Sequence, residues 1–343
     1  MKITFLYGGF ESLGIEYLSS VLKSHGHQVS LVFDPMIFND GISSSSILSR
    51  IFSYQKKVID EVVKSESDLI AFSVVTPTYQ WALKLARGIK KTINTPIIFG
   101  GVHPTLLPER VIQNQSVDMV CIGEGEYPLL ELVNSIEKKI LNYNIDNIWF
   151  KNENVVKKNP IRPLIDNLDS LPFLDKDLFY EKSPPFKEIY FITSSRGCPY
   201  SCTFCCNHIL RKISCKNGKW VRRRSVNNII KELKLAKQRY NIPLVFFLDD
   251  VFTMDEKWLN EFAKNYKQEV NLPFKCITHP QSISPQVINY LKHAGCIDIL
   301  LGLQSANQEI RRKVLNRRET NEQISRACEL IRQAEIDFGR PYF

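Results

Sequence analysis

Several features are scarce in this sequence, and each scarcity excludes something. No stretch approaches the roughly 18 consecutive apolar residues of a membrane-spanning helix. Glycine and proline are sparse, at 15 and 17 of 343 residues, which excludes a collagen-like or low-complexity chain. The opening Met1-Lys2-Ile3-Thr4-Phe5-Leu6-Tyr7-Gly8-Gly9 has too short an apolar run for a signal peptide and reads as a buried strand. No G-x-G-x-x-G follows that strand, which disfavours a dinucleotide ligand. What remains is ordinary globular material, 44% hydrophobic and 24% charged, with a net charge of +9. A chain of this length is expected to form about two domains.

Residues 1–140 repeat a unit of apolar strand, turn and amphipathic helix. The expected strands are Lys2–Tyr7, Gln28–Phe33, Asp68–Val74, Pro96–Phe99 and Asp118–Ile122. They do not alternate polar with apolar, as befits a parallel sheet covered on both faces. Helical patterns at Leu13–His25, Thr78–Thr92 and Glu126–Lys138 fill the gaps. The expectation is an α/β fold: a doubly wound, parallel five-stranded sheet of the Rossmann or flavodoxin kind. Such sheets bind ligands beyond the carboxyl ends of their strands. The loops there carry Gly8-Gly9, Ser73 to Thr76, Gly100-Gly101-Val102-His103 and Gly123-Glu124-Gly125. Any one of them is explained by a tight turn; four on one edge suit a large ligand approaching the backbone.

Residues 141–187 change character. Ile148-Trp149-Phe150 and Val155-Val156 read as a hairpin, followed by a proline-rich linker through Pro160, Pro163, Pro172, Pro184 and Pro185. Residues 188–343 resume the alternation, with strands expected at Glu188–Ser194, Leu244–Leu248, Phe274–Thr278 and Ile297–Gly302. Four such units are too few to close a parallel barrel, so a partial (βα) barrel, shortened at its C-terminus, is expected.

The nine cysteines are unevenly placed, in a pattern that suits a reducing cytoplasm better than a disulfide framework. Cys198, Cys202 and Cys205 form C-x3-C-x2-C directly after the first strand of the second half. Three thiolates on such a loop can hold three corners of a cubane iron–sulfur cluster and leave one iron open. The rival is a Cys3His zinc site completed by His208. Cys206 and Cys215 are surplus to either spacing. A basic run, Arg211, Lys212, Lys216, Lys219, Arg222, Arg223 and Arg224, reads as a solvated face, an anion site or a nucleic-acid surface.

The cysteine spacing, the aromatic Phe204 between its last two members and the preceding strand resemble the radical S-adenosylmethionine (radical SAM) enzymes. The resemblance implies a [4Fe–4S] cluster on Cys198, Cys202 and Cys205. Its open iron would chelate S-adenosylmethionine, and one electron would cleave the sulfonium to methionine and a 5′-deoxyadenosyl radical. Phe204 would pack near the adenine. Asp249 or Asp250, at the end of the second strand, would contact the methionine ammonium, unless the pair is a strand-end turn or helix cap. Gly302, Gln304 and Ser305 would approach the cofactor from the fourth strand. The basic run ending Arg222-Arg223-Arg224 would face a carboxylate or phosphate.

The first half resembles the cobalamin-binding domain fused to many of these enzymes, on Ser12-Leu13-Gly14-Ile15, Gly100-Gly101-Val102-His103-Pro104-Thr105 and Gly123-Glu124-Gly125-Glu126. Gly8, Gly9, Ser73, Thr76, Gly100, Gly101, His103, Gly123, Glu124 and Gly125 would line the cobalamin. The D-x-H-x-x-G signature that supplies a histidine to cobalt is absent. Together the resemblances imply a cytoplasmic, cobalamin-dependent radical SAM methyltransferase with domains at 1–140 and 188–343. Its partners would be a small-molecule or peptide substrate and a reducing donor such as flavodoxin or ferredoxin; a membrane span and nucleic acid are not expected. The alternatives are radical chemistry without methyl transfer, an inactive or partner-dependent fragment, and a zinc-stabilised nucleic-acid-binding protein.

Overall fold

A computed structural model describes residues 1–36, 54–153, 155–214 and 218–338. The chain forms two compact units, Met1–Pro163 with Leu171–Pro184, and Leu164–Ser170 with Pro185–Phe343.

The first unit is built on β1 (Lys2–Gly8), β2 (Gln28–Asp34), β3 (Leu69–Ser73), β4 (Ile97–Gly100), β5 (Met119–Cys121), β6 (Ile148–Asn152) and β7 (Val155–Lys157). They form one sheet in the order β2-β1-β3-β4-β5-β6-β7. The first five strands are parallel, and the chain reverses direction across the sheet between β1 and β3. Ile3, Phe5, Leu6, Leu69, Ile70, Phe72 and Phe99 are all buried, which explains the missing alternation. The hairpin extends the sheet: β6 pairs antiparallel with β5, because Ile148, Trp149 and Phe150 need cover. Helix Leu13–Ser24 begins where the Ser12 hydroxyl accepts from the Ile15 amide.

The proline-rich stretch carries one buried cation into this unit. Lys176 is fully buried and paired with two buried carboxylates, Glu11 and, at 2.9 Å, Glu16. Burial holds the Glu16 carboxyl well above the usual carboxylate range.

The second unit has β8 (Tyr190–Ile192), a short ribbon of β9 (Ser195–Arg196) with β10 (Arg222–Arg223), then β11 (Val245–Phe247), β12 (Phe274–Thr278), β13 (Cys296–Leu301) and β14 (Asp337–Phe338). Its main sheet is parallel, in the order β14-β13-β12-β11-β8. A fifth strand, β14, thus begins where the alternation calls for one. The core is aromatic: Phe247, Phe252, Phe262, Tyr266 and Phe274 pack edge to face or tilted at 4.6–6.5 Å between centroids. Side-chain caps at Ser225, Asp255, Ser284 and Thr320 start the covering helices. No helix among the described residues is long and apolar enough to cross a membrane.

Candidate cluster loop and cobalamin cradle

In the first unit, the loops at the carboxyl edge of the sheet are tied to one another. Gly101 has φ +97°, and a Cβ there would lie 2.8 Å from the Val74 nitrogen and 2.9 Å from its oxygen, so only glycine fits. The Thr105 hydroxyl donates to the Gly101 carbonyl at 2.8 Å and accepts from the Gly123 amide at 2.9 Å. One threonine therefore joins the loops after β4 and β5. Ser73 lies beside Gly101, its hydroxyl 3.2 Å from that same Cβ position. Thr76 Oγ1 lies 3.0 Å from His103 Nδ1. The His103 ring stacks at 4.1 Å on Tyr79, and its buried Nε2 has no hydrogen-bond partner. Burial, then Arg110, holds this imidazole below its usual range.

Gly8 and Gly9 sit on the β2 side of the same edge, where the Gly9 amide donates to the Asp34 carbonyl at 2.9 Å and a Cβ on Gly8 would strike Met36. Glu124 offers its carbonyl to Asn147 Nδ2, and Gly125 leaves room for Leu18 and Cys121. Phe10, Val75 and Leu107 follow these strands with 59%, 38% and 43% of their surface exposed. The sequence reading did not single them out. Glycine-built loops beside exposed apolar side chains fit the broad apolar face of a corrin.

In the second unit, Cys198, Cys202 and Cys205 lie on the loop between β9 and helix Asn207–Ser214, all as free thiols. Gly197 enters the loop at φ +90°, where a Cβ would lie 2.4 Å from the Trp220 oxygen. Burial first, then Asp250 and the thiols of Cys202 and Cys205, push the Cys198 thiol up to about 11; the Tyr200 amide offsets part of this. Burial, chiefly, also raises the Cys202 thiol, so a thiolate at either of these two positions calls for a cationic partner. Among the described residues, no group of three or more His, Cys, Asp or Glu side chains is placed to hold a metal ion, and the His208 Nδ1 lies 2.6 Å from the Cys205 carbonyl. This geometry separates neither the zinc reading nor the cluster reading from the other. Cys215 and Lys216 lie outside the described residues.

Two expectations need correction. Asp249 is not available to a ligand's ammonium: it is 1% exposed, and its carboxylate accepts from the Ser194 amide, the Ser194 hydroxyl and the Ser195 hydroxyl. It clasps the end of β11 to that of β8. Asp250 is exposed, takes one hydrogen bond from Asn207 at 2.8 Å, and lies beside the cysteine loop. The basic run, likewise, is divided, its last three members turned to internal partners. Arg222 is buried and donates to the Ile165 carbonyl, while Arg224 is buried against Glu232. Arg223 lies over the Trp258 ring at 4.3 Å and donates to the Phe252 carbonyl. Among the described residues of the run, Arg211, Lys212 and Lys219 are exposed.

Phe204 is 51% exposed on the loop. Gly302 follows β13 and admits the Gln304 side chain, whose Nε2 would lie 3.1 Å from a Cβ there. Gln304 has φ +66°, a left-handed turn that brings Ser305 back toward Leu303 through a 2.8 Å hydrogen bond. The sequence reading missed Arg317, Glu319 and His279. Arg317 donates to the Gly302 carbonyl at 2.6 Å and pairs with buried Glu319, and His279 stands 3.6 Å from the same carboxylate.

The B12 binding domain family matches residues 6–133, and the Radical SAM superfamily matches residues 192–341. The chain carries a B12-binding domain followed by a radical SAM domain. It is 29% identical to an uncharacterised methyltransferase of Pyrococcus horikoshii over 304 residues, covering 87% of this chain and 61% of the relative. It is 23% identical to the anaerobic magnesium-protoporphyrin IX monomethyl ester cyclase of Rubrivivax gelatinosus, covering 98% of this chain and 61% of the cyclase. The chain thus spans about three fifths of these relatives' length. Among solved structures, the cobalamin-dependent radical SAM enzyme OxsB matches at TM-score 0.77 and 22% identity, over 98% of this chain and 48% of that one. The radical SAM methyltransferase TsrM of Kitasatospora setae matches at 0.76 and 15%, over 98% and 66%. The radical SAM domain brings a [4Fe–4S] cluster and S-adenosylmethionine, and the B12-binding domain brings cobalamin.

Proposed function

We propose that this chain is the two-cofactor core of a cobalamin-dependent radical SAM methyltransferase acting on an unactivated carbon or phosphorus centre. The observation that carries the reading is the presence, in one chain, of a three-thiol loop and a glycine-built cradle edged with apolar side chains. When bound, the cluster with S-adenosylmethionine supplies a 5′-deoxyadenosyl radical, and cobalamin supplies a transferable methyl group.

This chain's residues do the holding. Cys198, Cys202 and Cys205 each give one thiolate, leaving one iron for the amino and carboxylate groups of S-adenosylmethionine. Phe204 offers its exposed ring to the adenine. Asp250, with Asp249 committed elsewhere, is the carboxylate left for the ammonium. Gln304 and Ser305 bring polar groups from the end of β13, with Gly302 clearing the space. In the cradle, Gly8, Gly9, Gly100, Gly101, Gly123 and Gly125 let a macrocycle approach the backbone. Ser73, Thr76, His103 and Glu124 supply polar contacts at its edge. A low-potential donor such as flavodoxin or ferredoxin would supply the electron.

Methyl transfer is favoured because relatives include named methyltransferases. Ring closure is the second reading, favoured by the cyclase likeness over 98% of the chain. The deciding assay is anaerobic: chain reconstituted with iron, sulfide and hydroxocobalamin, then given S-adenosylmethionine and dithionite. S-adenosylhomocysteine with 5′-deoxyadenosine is the expected pair. The second product alone transfers support to ring closure, and neither product overturns both readings.

A further inference from the structure

The cysteine loop is held from one side by a strap between β13 and helix Asn321–Gln333. The Thr203 hydroxyl donates to the Val314 carbonyl at 2.7 Å, and the Thr203 amide to that of Leu315 at 3.2 Å. Asn316 Nδ2 donates to the Ser201 carbonyl at 2.8 Å. These bonds fix the backbone around Cys202. On the other side of that turn, the Tyr200 ring, midway between Cys198 and Cys202, stacks on His279 at 4.0 Å and 20°.

His279 is itself immobilised. It is 6% exposed, and its Nδ1 accepts from the Gln281 amide at 3.2 Å. That acceptor role puts the ring proton on Nε2, facing Glu319 Oε2 at 3.6 Å. Glu319 is fully buried, and its other oxygen accepts a hydrogen bond from Arg317 Nε. Arg317 continues the strap and grips the Gly302 carbonyl. The ring under Tyr200 is therefore oriented through its Nδ1 and lies against the same segment that ties down Thr203. None of these groups reaches a cysteine sulfur as a ligand; they act on the cluster through the loop.

The geometry points to His279 as a positioning residue for the cluster: its ring, stacked under Tyr200, sets the inner turn of the cysteine loop. This rests on the cluster reading above. Groups hydrogen-bonded to a metal ligand typically change metal affinity by about 10–100-fold when removed, and a residue acting one contact further out belongs at the low end of that range.

The test uses the full chain reconstituted anaerobically with iron and sulfide, as wild type, His279→Ala, His279→Phe and Tyr200→Ala. Two quantities are read: the rate at which a ferrous chelator strips iron, and the electron paramagnetic resonance g-values of the reduced cluster. His279→Ala is expected to lose iron about tenfold faster, with shifted g-values. Tyr200→Ala, which removes the stack from the loop side, is expected to match it. His279→Phe restores a ring and should return the stripping rate to that of wild type. An alanine variant indistinguishable from wild type overturns the proposal, as does a phenylalanine variant no better than alanine. If His279→Ala does not fold, Tyr200→Ala decides: unchanged stripping overturns the proposal. A wild-type chain that takes up no iron and sulfide ends the cluster reading itself, a failure distinct from the others.

Discussion

The two units finish the carboxyl edges of their parallel sheets differently. In the first, the edge is made largely of glycines, a bridging threonine and exposed apolar side chains, with buried Asp34 at the end of β2 accepting from the Met36 amide and Trp81 Nε1. In the second, strand ends are clasped by buried charge: Asp249 on Ser194 and Ser195, Glu232 on Arg224, Glu319 on Arg317. Under the proposed function, the difference follows the size of what each edge would hold. A macrocycle needs clearance and apolar area. A cluster needs three sulfurs held to a small tolerance, which directional hydrogen bonds and ion pairs in a low-dielectric interior provide.

The largest effect that separates the edges is at the cysteines. Alanine at Cys198, Cys202 or Cys205 is expected to abolish iron and sulfide uptake while cobalamin absorbance after reconstitution persists. Cys206→Ala is expected to keep both. Iron and sulfide analysis beside the cobalamin spectrum checks this, and parallel loss of both cofactors would remove the independence the comparison assumes.

Next in size is Lys176→Met. It leaves Glu11 and Glu16 buried without their cation, a change that costs roughly 3–5 kcal/mol when one member of a buried pair is removed. Urea unfolding should show the loss, and adding Glu11→Gln should recover part of it. An unchanged midpoint would mean that the triad is not a closed interior group.

Gly101→Ala comes third. At φ +97° the new Cβ meets the Val74 backbone on two sides, and forcing a side chain into such a conformation costs about 3 kcal/mol at most, before any shift of the loop. Cobalamin retention should fall while iron content stays at the wild-type level.

How much of this was legible in the sequence depends on how locally each feature is determined. Non-alternating runs such as Leu69–Ser73 announce a covered parallel strand, because burial on both faces is a property of the segment itself. The three-cysteine loop is also local: its spacing and the preceding strand are read directly from the segment. Asp249 misled because a strand-end carboxylate looks the same whether it meets a ligand or two serines reached from another strand. Arg222 and Arg224 misled for the same reason, since Ile165 and Glu232, which absorb them, lie at other points of the chain. His279, Arg317 and Glu319 carry no motif at all; only folding brings them together.

The smallest effect follows from that last group. Burial first, then Arg317, lowers the His279 imidazole to about 3; the groups facing it are Tyr200, Glu319 and Arg317. In the unfolded chain the same ring titrates near 6.5. Between those values the unfolded state binds a proton that the folded state refuses, so stability is full above about 6.5 and drains as the pH falls toward 3. By pH 5 this one ring accounts for about 2 kcal/mol of the stability lost since pH 8. Denaturant midpoints across that range should therefore fall more steeply for wild type than for His279→Gln, which has nothing to protonate. Parallel slopes would show that the ring is charged within the fold, and the neutral brace beneath Tyr200 would have to be redrawn as an ion pair with Glu319.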